Sequence, residues 1–328
     1  MCTRFVHHGL SGQIFTARSM DWKSDLHTNL WILPRGGTRS GNCGPNSAVW
    51  DVRYGSVVAT GYDISTTDGV NEAGLVVNLL WLAESEYASV DPAKPLLTIA
   101  AWAQYMLDQF ASVAEAVQAL RAEPFSLVTS HVPGEERLTT LHLSMSDSRG
   151  DSAIVEYIGG QQVIHHDMTY QVMTNSPTYN EQLALNKYWE TIGGTVMLPG
   201  TNRAADRFVR ASFYNQAIQR HEDPDLAFSG VLSVIRNVSV PFGLSTPDQP
   251  NISSTRWRSV VDHARMRYYF ESATMPNTIW ADLNAIDFSA GAGARRLELG
   301  VNQSQVYQGP VQDNFVPAQP FEFLGIKV

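Results

Sequence analysis

The sequence predicts an α+β protein in which two antiparallel β-sheets pack face to face and helices cover both outer sides. Three observations carry this. Short strand-like runs separated by turns fill the first fifty residues, two helical patterns follow near 95–121, and strands, helices and strands again complete the chain. A sheet with one apolar face has to bury it, and a second sheet is the partner this element order supplies.

Taken in order, residues 3–7, a turn at 9–12, and runs at 13–18 and 29–33 have the spacing of hairpins. Ile14, Thr16 and Arg18 share one strand face, whereas Asp21 has the opposite parity. If Arg18 and Asp21 serve one site, the strand is expected to end or bulge between them. Residues 56–60 and 74–82 read as buried strands, the second behind the turn Asn71-Glu72-Ala73-Gly74. Helical periodicity over 95–110 falls on Leu97, Ala100, Ala101, Gln104, Tyr105 and Asp108, and Ser112 with Glu115 three residues later predicts a capping box opening 112–121. Strands are expected at 125–130, 138–145, 153–157 and 170–173, and helices at 180–189, 203–218 and 224–235, with Thr201 or Asn202 as a cap. The C-terminal ninety residues return to strands such as 265–271 and 278–282. No linker-like tract or charge block divides the 328 residues, so a single domain over 1–328 is expected.

Composition narrows the function. With 44% hydrophobic and 17% charged residues the chain has ample material for a large core. A formal net charge of -9 argues against nucleic-acid or anionic-membrane partners, both of which select clustered Lys and Arg. The longest apolar stretch, 96–110, is interrupted by Gln104 and Asp108, and Arg4, His7 and His8 break any signal-peptide core at the N-terminus. The two cysteines, Cys2 and Cys43, exclude a disulfide scaffold; Cys43 reads as a structural or incidental thiol.

Several chemistries lack their motifs. The histidine pairs His7-His8 and His165-His166 read as surface or turn residues; there is no H-E-x-x-H and no C-x-x-C, so no metal is expected. Neither a phosphate-binding glycine loop nor G-x-S-x-G is present, and no cofactor is expected. Met1-Cys2 remains. Were Met1 removed, Cys2 would carry a thiol with an unperturbed pKa near ~8.5 beside an α-amine near ~7.7–8.0, so nucleophile and base would sit on one residue. Arg18, Asp21, Asn175 and Arg207 are polar residues in apolar surroundings. Each alone has an ordinary explanation as a strand-end ion pair, a turn residue or a solvated helix position.

Together they fall into a pattern. Cys2-Thr3-Arg4-Phe5, Ala17-Arg18-Ser19-Met20-Asp21-Trp22, Asn71-Glu72-Ala73-Gly74-Leu75, Thr174-Asn175-Ser176-Pro177, and Leu198-Pro199-Gly200 ahead of Arg207-Phe208-Val209-Arg210 closely resemble the choloylglycine hydrolase family of N-terminal nucleophile hydrolases. The resemblance implies an αββα sandwich and hydrolysis of a linear amide bond. It also implies Cys2 as nucleophile, Arg18 and Asp21 beside it, Asn175 in an oxyanion hole with a backbone N–H from Leu82, and Arg207 as a supporting cation. Trp22 and Trp81 resemble the tryptophan pair of Gram-negative-type penicillin V acylases and acyl homoserine lactone acylases, which implies a flat-walled apolar acyl pocket. The expected substrates are therefore penicillin V and long-chain N-acyl homoserine lactones, with a quorum-quenching role. Conjugated bile salt hydrolysis and binding of amphipathic ligands without cleavage are the alternatives. A homo-oligomer, dimer or tetramer, in the periplasm completes the expectation, with a cytoplasmic location if Met1 is the native start.

Overall fold

The computed structural model describes residues 2–132, 134, 136–193, 196–248, 252–300 and 305–326. Among these, the chain forms two large sheets, of seven and nine strands, and five α-helices. β1 (Cys2–His8) and β2 (Ile14–Trp22) form a hairpin with Cys2 opposite Met20 and Arg4 opposite Arg18. β2 lies between β1 and the strand Ser254–Asp262 and is buried along its whole length, because the nine-stranded sheet covers one of its faces and a helical layer the other. The seven-stranded sheet continues through Arg267–Ser272, Thr278–Asp282 and Gly309–Pro310, with Val172–Met173 on the other side of β1. The nine-stranded sheet runs Gln161–His166, Ser152–Ile158, Leu141–Ser146, Val76–Trp81, Ser65–Asn71, Ser56–Gly61, Leu30–Leu33, Arg295–Leu297 and Val316–Pro317, every neighbour antiparallel.

Helices α1 (Ile99–Gln109) and α2 (Val113–Arg121) pack on the nine-stranded sheet. α4 (Ala204–Ala217) and α5 (Pro224–Asn237) pack on the seven-stranded sheet, and α3 (Tyr179–Ile192) leans on α4. The four layers are therefore helix, sheet, sheet, helix, as the element order implied.

Local chemistry explains the boundaries. Ser112 Oγ caps α2 by accepting from Glu115 N at 3.3 Å, but the Glu115 carboxylate turns to Ala111 N at 3.0 Å, so only half of the expected capping box forms. The complete box lies at α3, where Thr178 and Glu181 exchange hydrogen bonds. Neither Thr201 nor Asn202 is the N-cap of α4, which is Arg203; Thr201 instead accepts the Arg203 N–H at 3.2 Å and donates to Asp206 at 2.5 Å. The Asn71–Gly74 turn is pinned to the end of α1, because Asn71 Nδ2 donates to Leu107 O and Phe110 O while its Oδ1 accepts from Ala73 and Leu75. Gly74 closes that turn at φ 92°, in the left-handed region that glycine enters without steric cost.

β2 neither ends nor bulges between Arg18 and Asp21. The register break lies in its neighbour, between Thr255 and Trp257, so Arg256 is the extra residue. With β2 regular, its alternation sends Arg18 toward the nine-stranded sheet and Asp21 toward α4. His7 also departs from expectation: it is buried at 2% exposure, its ring hydrogen-bonded to Asn215 at 2.9 Å.

Candidate active site

The site is the end of the β1–β2 hairpin, seen from both faces of the seven-stranded sheet. On the inner face, Cys2 Sγ lies 3.9 Å from Arg18 Nη2 and 3.7 Å from Met20 Sδ. Arg18 is wholly buried, and its guanidinium is held by donation to Thr67 O at 3.1 Å and Leu79 O at 2.9 Å. It also lies 4.6 Å from the centroid of the Trp257 ring. Its counter-charge is Asp68 at 4.0 Å, which accepts from Tyr268 Oη at 2.5 Å and from Asn78 Nδ2. Burial first, and then Asp68, push the Tyr268 phenol well above its ordinary value, so it remains a donor.

The outer face holds the main chain of Cys2. Arg207 comes from α4 and is also wholly buried. Its Nη1 donates to Cys2 O at 2.8 Å and to Thr3 Oγ1, its Nη2 to Asn175 Oδ1 at 3.1 Å, and its Nε to Asn202 O at 3.0 Å. Asp21 Oδ2 is 3.4 Å away, and Asp21 Oδ1 accepts from Thr255 Oγ1 at 2.6 Å. Burial lowers the Arg207 pKa from its ordinary value, against the opposing pull of Asp21 and Cys2.

Asn175 joins the two faces. Its Oδ1 accepts from Cys2 N and from Arg207, which fixes the amide so that Nδ2 donates to Trp81 O at 2.6 Å. The segment around it is clamped: Gln182 Nε2 donates to Asn175 O and to Pro177 O, and His142 Nε2 meets Thr174 O at 2.8 Å. His142 Nδ1 in turn faces Glu156 at 3.1 Å. Burial alone would raise the Glu156 carboxyl, but hydrogen bonds from His142 and His165 outweigh it and bring it down to about 2.

Cys2 opens into a cavity between the two sheets' ends. Its walls are largely apolar: Met20, Trp22, Leu26, Trp81 and Leu141. The two indoles stand 5.6 Å apart between centroids, and Trp22 Nε1 donates to Tyr62 Oη at 3.2 Å. Cys43 lies elsewhere; it donates to Gly41 O at 3.0 Å, and burial pushes its thiol up to about 11.

The structure thus brings together Cys2, Arg18, Asp21, Asn175, Arg207, Trp22 and Trp81. Leu82 is the correction. Its N–H donates to Thr140 O at 3.1 Å, extending the ladder between Val76–Trp81 and Leu141–Ser146, and its buried side chain is not among the cavity walls. A strand N–H spent in a ladder is not a spare donor. Sequence reasoning also missed Asp68, Trp257, Tyr268 and Thr255. No local motif marks them: Thr255 and Trp257 arrive by strand pairing with β2 and Asp68 by packing of one sheet on the other, across separations of 234 residues for Asp21 and Thr255 and 49 for Arg18 and Thr67.

Residues 2–292 match the linear amide C–N hydrolases of the choloylglycine hydrolase family. Over 99% of its length the chain is 56% identical to a penicillin V acylase of Pectobacterium atrosepticum, 92% of which is covered. It shares 60% identity and a TM-score of 0.92 with the structure of penicillin V acylase from Agrobacterium tumefaciens, over 99% of this chain and 100% of that one. A bile salt hydrolase/transferase of Clostridium perfringens is 25% identical over 88% of the chain, covering 93% of that protein. The chain belongs to the choloylglycine hydrolase family. Within that family it is a linear amide C–N hydrolase.

Proposed function

We propose that removal of Met1 frees the Cys2 amine, and that the protein hydrolyses penicillin V and long-chain N-acyl homoserine lactones with Cys2 as nucleophile. The observation that carries this reading is the position of Cys2 Sγ, facing Arg18 at the floor of an apolar cavity walled by two indoles. The freed amine takes the thiol proton, and sulfur bonds to the amide carbonyl carbon. Arg18 favours the thiolate by its charge. The carbonyl oxygen becomes an oxyanion that receives the second N–H of Asn175 Nδ2, the first being given to Trp81 O. Collapse breaks the C–N bond, the α-ammonium protonates the departing amine, and water activated by the same α-amine then cleaves the thioester to the free acid. Asp21 and Arg207 hold the Cys2 main chain in place through Asn175 and the Cys2 carbonyl.

The similarity to penicillin V acylases supports the phenoxyacetyl substrate, and the apolar cavity supports longer acyl chains. We extend the proposal to quorum quenching, periplasmic residence and a homo-oligomer on the family resemblance alone; cell fractionation and sedimentation of the full chain test the last two. The substrate test is parallel hydrolysis of penicillin V, a long-chain acyl homoserine lactone and glycocholate. Cleavage of the first two is expected; turnover of glycocholate alone would replace this reading with bile salt hydrolysis.

A further inference from the structure

One cation stacked on the cavity-wall residue Trp81 has no part in the chemistry above. Arg137 is exposed, and its guanidinium carbon stands 4.1 Å from the centroid of the Trp81 ring. Stacking uses the face of the guanidinium and leaves its five N–H donors directed outward in its plane. Among the described residues Arg137 has no hydrogen-bond or ion-pair partner. Arg18 and Arg207, by contrast, are wholly buried and committed to carbonyls and carboxylates, so neither can reach a group that stays in solvent.

Trp81 links Arg137 to the reacting centre. Its carbonyl accepts from Asn175, and its ring shares the cavity wall with Cys2. The segment that carries Arg137 also supplies Ser130, Val132 and Thr139 to that wall. With the acyl half of a substrate in the apolar interior, the amine half is left toward solvent, the side on which Trp81 carries the exposed guanidinium.

We infer that Arg137 is a specificity-determining residue that receives a carboxylate carried on the amine half of the substrate, as in penicillins and N-acyl amino acids. A planar guanidinium pairs with a carboxylate through two parallel N–H bonds, a geometry Lys cannot reproduce. It also supplies local attraction for an anion on a chain of net charge -9. Neutral amine halves such as a homoserine lactone gain nothing from it. The inference rests on the proposed placement of the acyl group in the cavity.

The test compares Arg137→Gln and Arg137→Lys with the unaltered protein on penicillin V, its methyl ester and an acyl homoserine lactone. In Arg137→Gln, KM for penicillin V should rise about five- to tenfold with kcat changed by less than about twofold, the scale of a charged hydrogen bond at a partly solvated rim. KM for the ester and the lactone should stay unchanged, and Arg137→Lys should recover only part of the loss. Calorimetric binding of phenoxyacetylglycine against its methylamide gives a readout independent of turnover. If nothing is cleaved yet binding of the acid still depends on Arg137, the catalytic reading fails and this inference stands. Equal losses on acid and ester, or no change on either, would overturn it.

Discussion

Arg18 and Arg207 are both wholly buried and both press on Cys2, yet they do opposite jobs because they approach it from opposite faces of one strand pair. Arg18 spends two donors on the carbonyls of Thr67 and Leu79 and presents an Nη to the sulfur at 3.9 Å. Arg207 spends its donors on the Cys2 carbonyl, Thr3, Asn175 and Asn202, and acts on the Cys2 side chain only through space. The thiol face is thus arranged to influence charge, the carbonyl face to hold the chain still. Their counter-ions differ in the same sense: Asp68 stands 4.0 Å from Arg18 and is itself held by Tyr268 and Asn78, whereas Asp21 stands 3.4 Å from Arg207 and is held by Thr255.

The largest expected effect removes the atom both faces serve. Cys2→Ser should lose about 10³-fold or more in penicillin V turnover, because a hydroxyl is far harder to deprotonate than a thiol, while its melting curve stays close to that of the unaltered protein. Retained turnover would move the nucleophile away from Cys2.

The comparison itself breaks or holds on a pair of variants. Arg207→Met leaves Asp21 buried beside an apolar chain and is expected to cost about 3–5 kcal/mol, read as a shift in denaturant midpoint, with activity lost alongside. Arg18→Met should cost less stability, since Tyr268 and Asn78 still satisfy Asp68, but should lower kcat/KM at least as much. Equal stability losses in the two variants would remove the distinction between the faces.

Asp68→Asn sharpens it further. The amide keeps the shape but removes the charge that balances Arg18, so the sulfur faces a less compensated cation and the acid limb of kcat/KM should move to lower pH. An unmoved limb would mean that Arg18 acts on the sulfur by packing and not by charge.

These assignments show what was legible in the sequence. The layers followed from the alternation of strand and helix signals, and Thr278–Asp282 fell where expected. Cys2, Arg18, Asp21, Asn175 and Arg207 were legible because short local motifs carry them. The strand Ser254–Asp262 was not singled out: its polar residues Arg256, Arg258 and Ser259 blur the alternation, and its place beside β2 and under α5 is set by long-range contacts that no local pattern encodes. The same long-range pairing supplies Thr255 and Trp257 to the site. The role expected for Leu82 failed for the related reason that a backbone N–H is free or spent according to its neighbouring strand, here the one continuing from Thr140.

The smallest effect is on stability against pH, at the far end of the thiol face. His263, hydrogen-bonded to Thr16 at 2.9 Å, is held by burial down to about 3, well below its unfolded value of 6.5. The unfolded chain therefore takes up the proton first, so this contribution is complete above about pH 6.5 and is lost as pH falls toward 3. His7 and His8, also lowered by burial, act in the same direction. Glu156 adds its own loss only from 4.5 down to about 2. Denaturant midpoints at pH 7 and pH 5 should differ less in His263→Asn than in the unaltered protein.

The most direct test of the account is intact-mass and peptide mass spectrometry of the active protein, quenched during turnover of penicillin V. The active chain should begin at Cys2 and carry the phenoxyacetyl group on that residue's peptide. An active protein that keeps Met1, or an acyl group found on any other peptide, would contradict it.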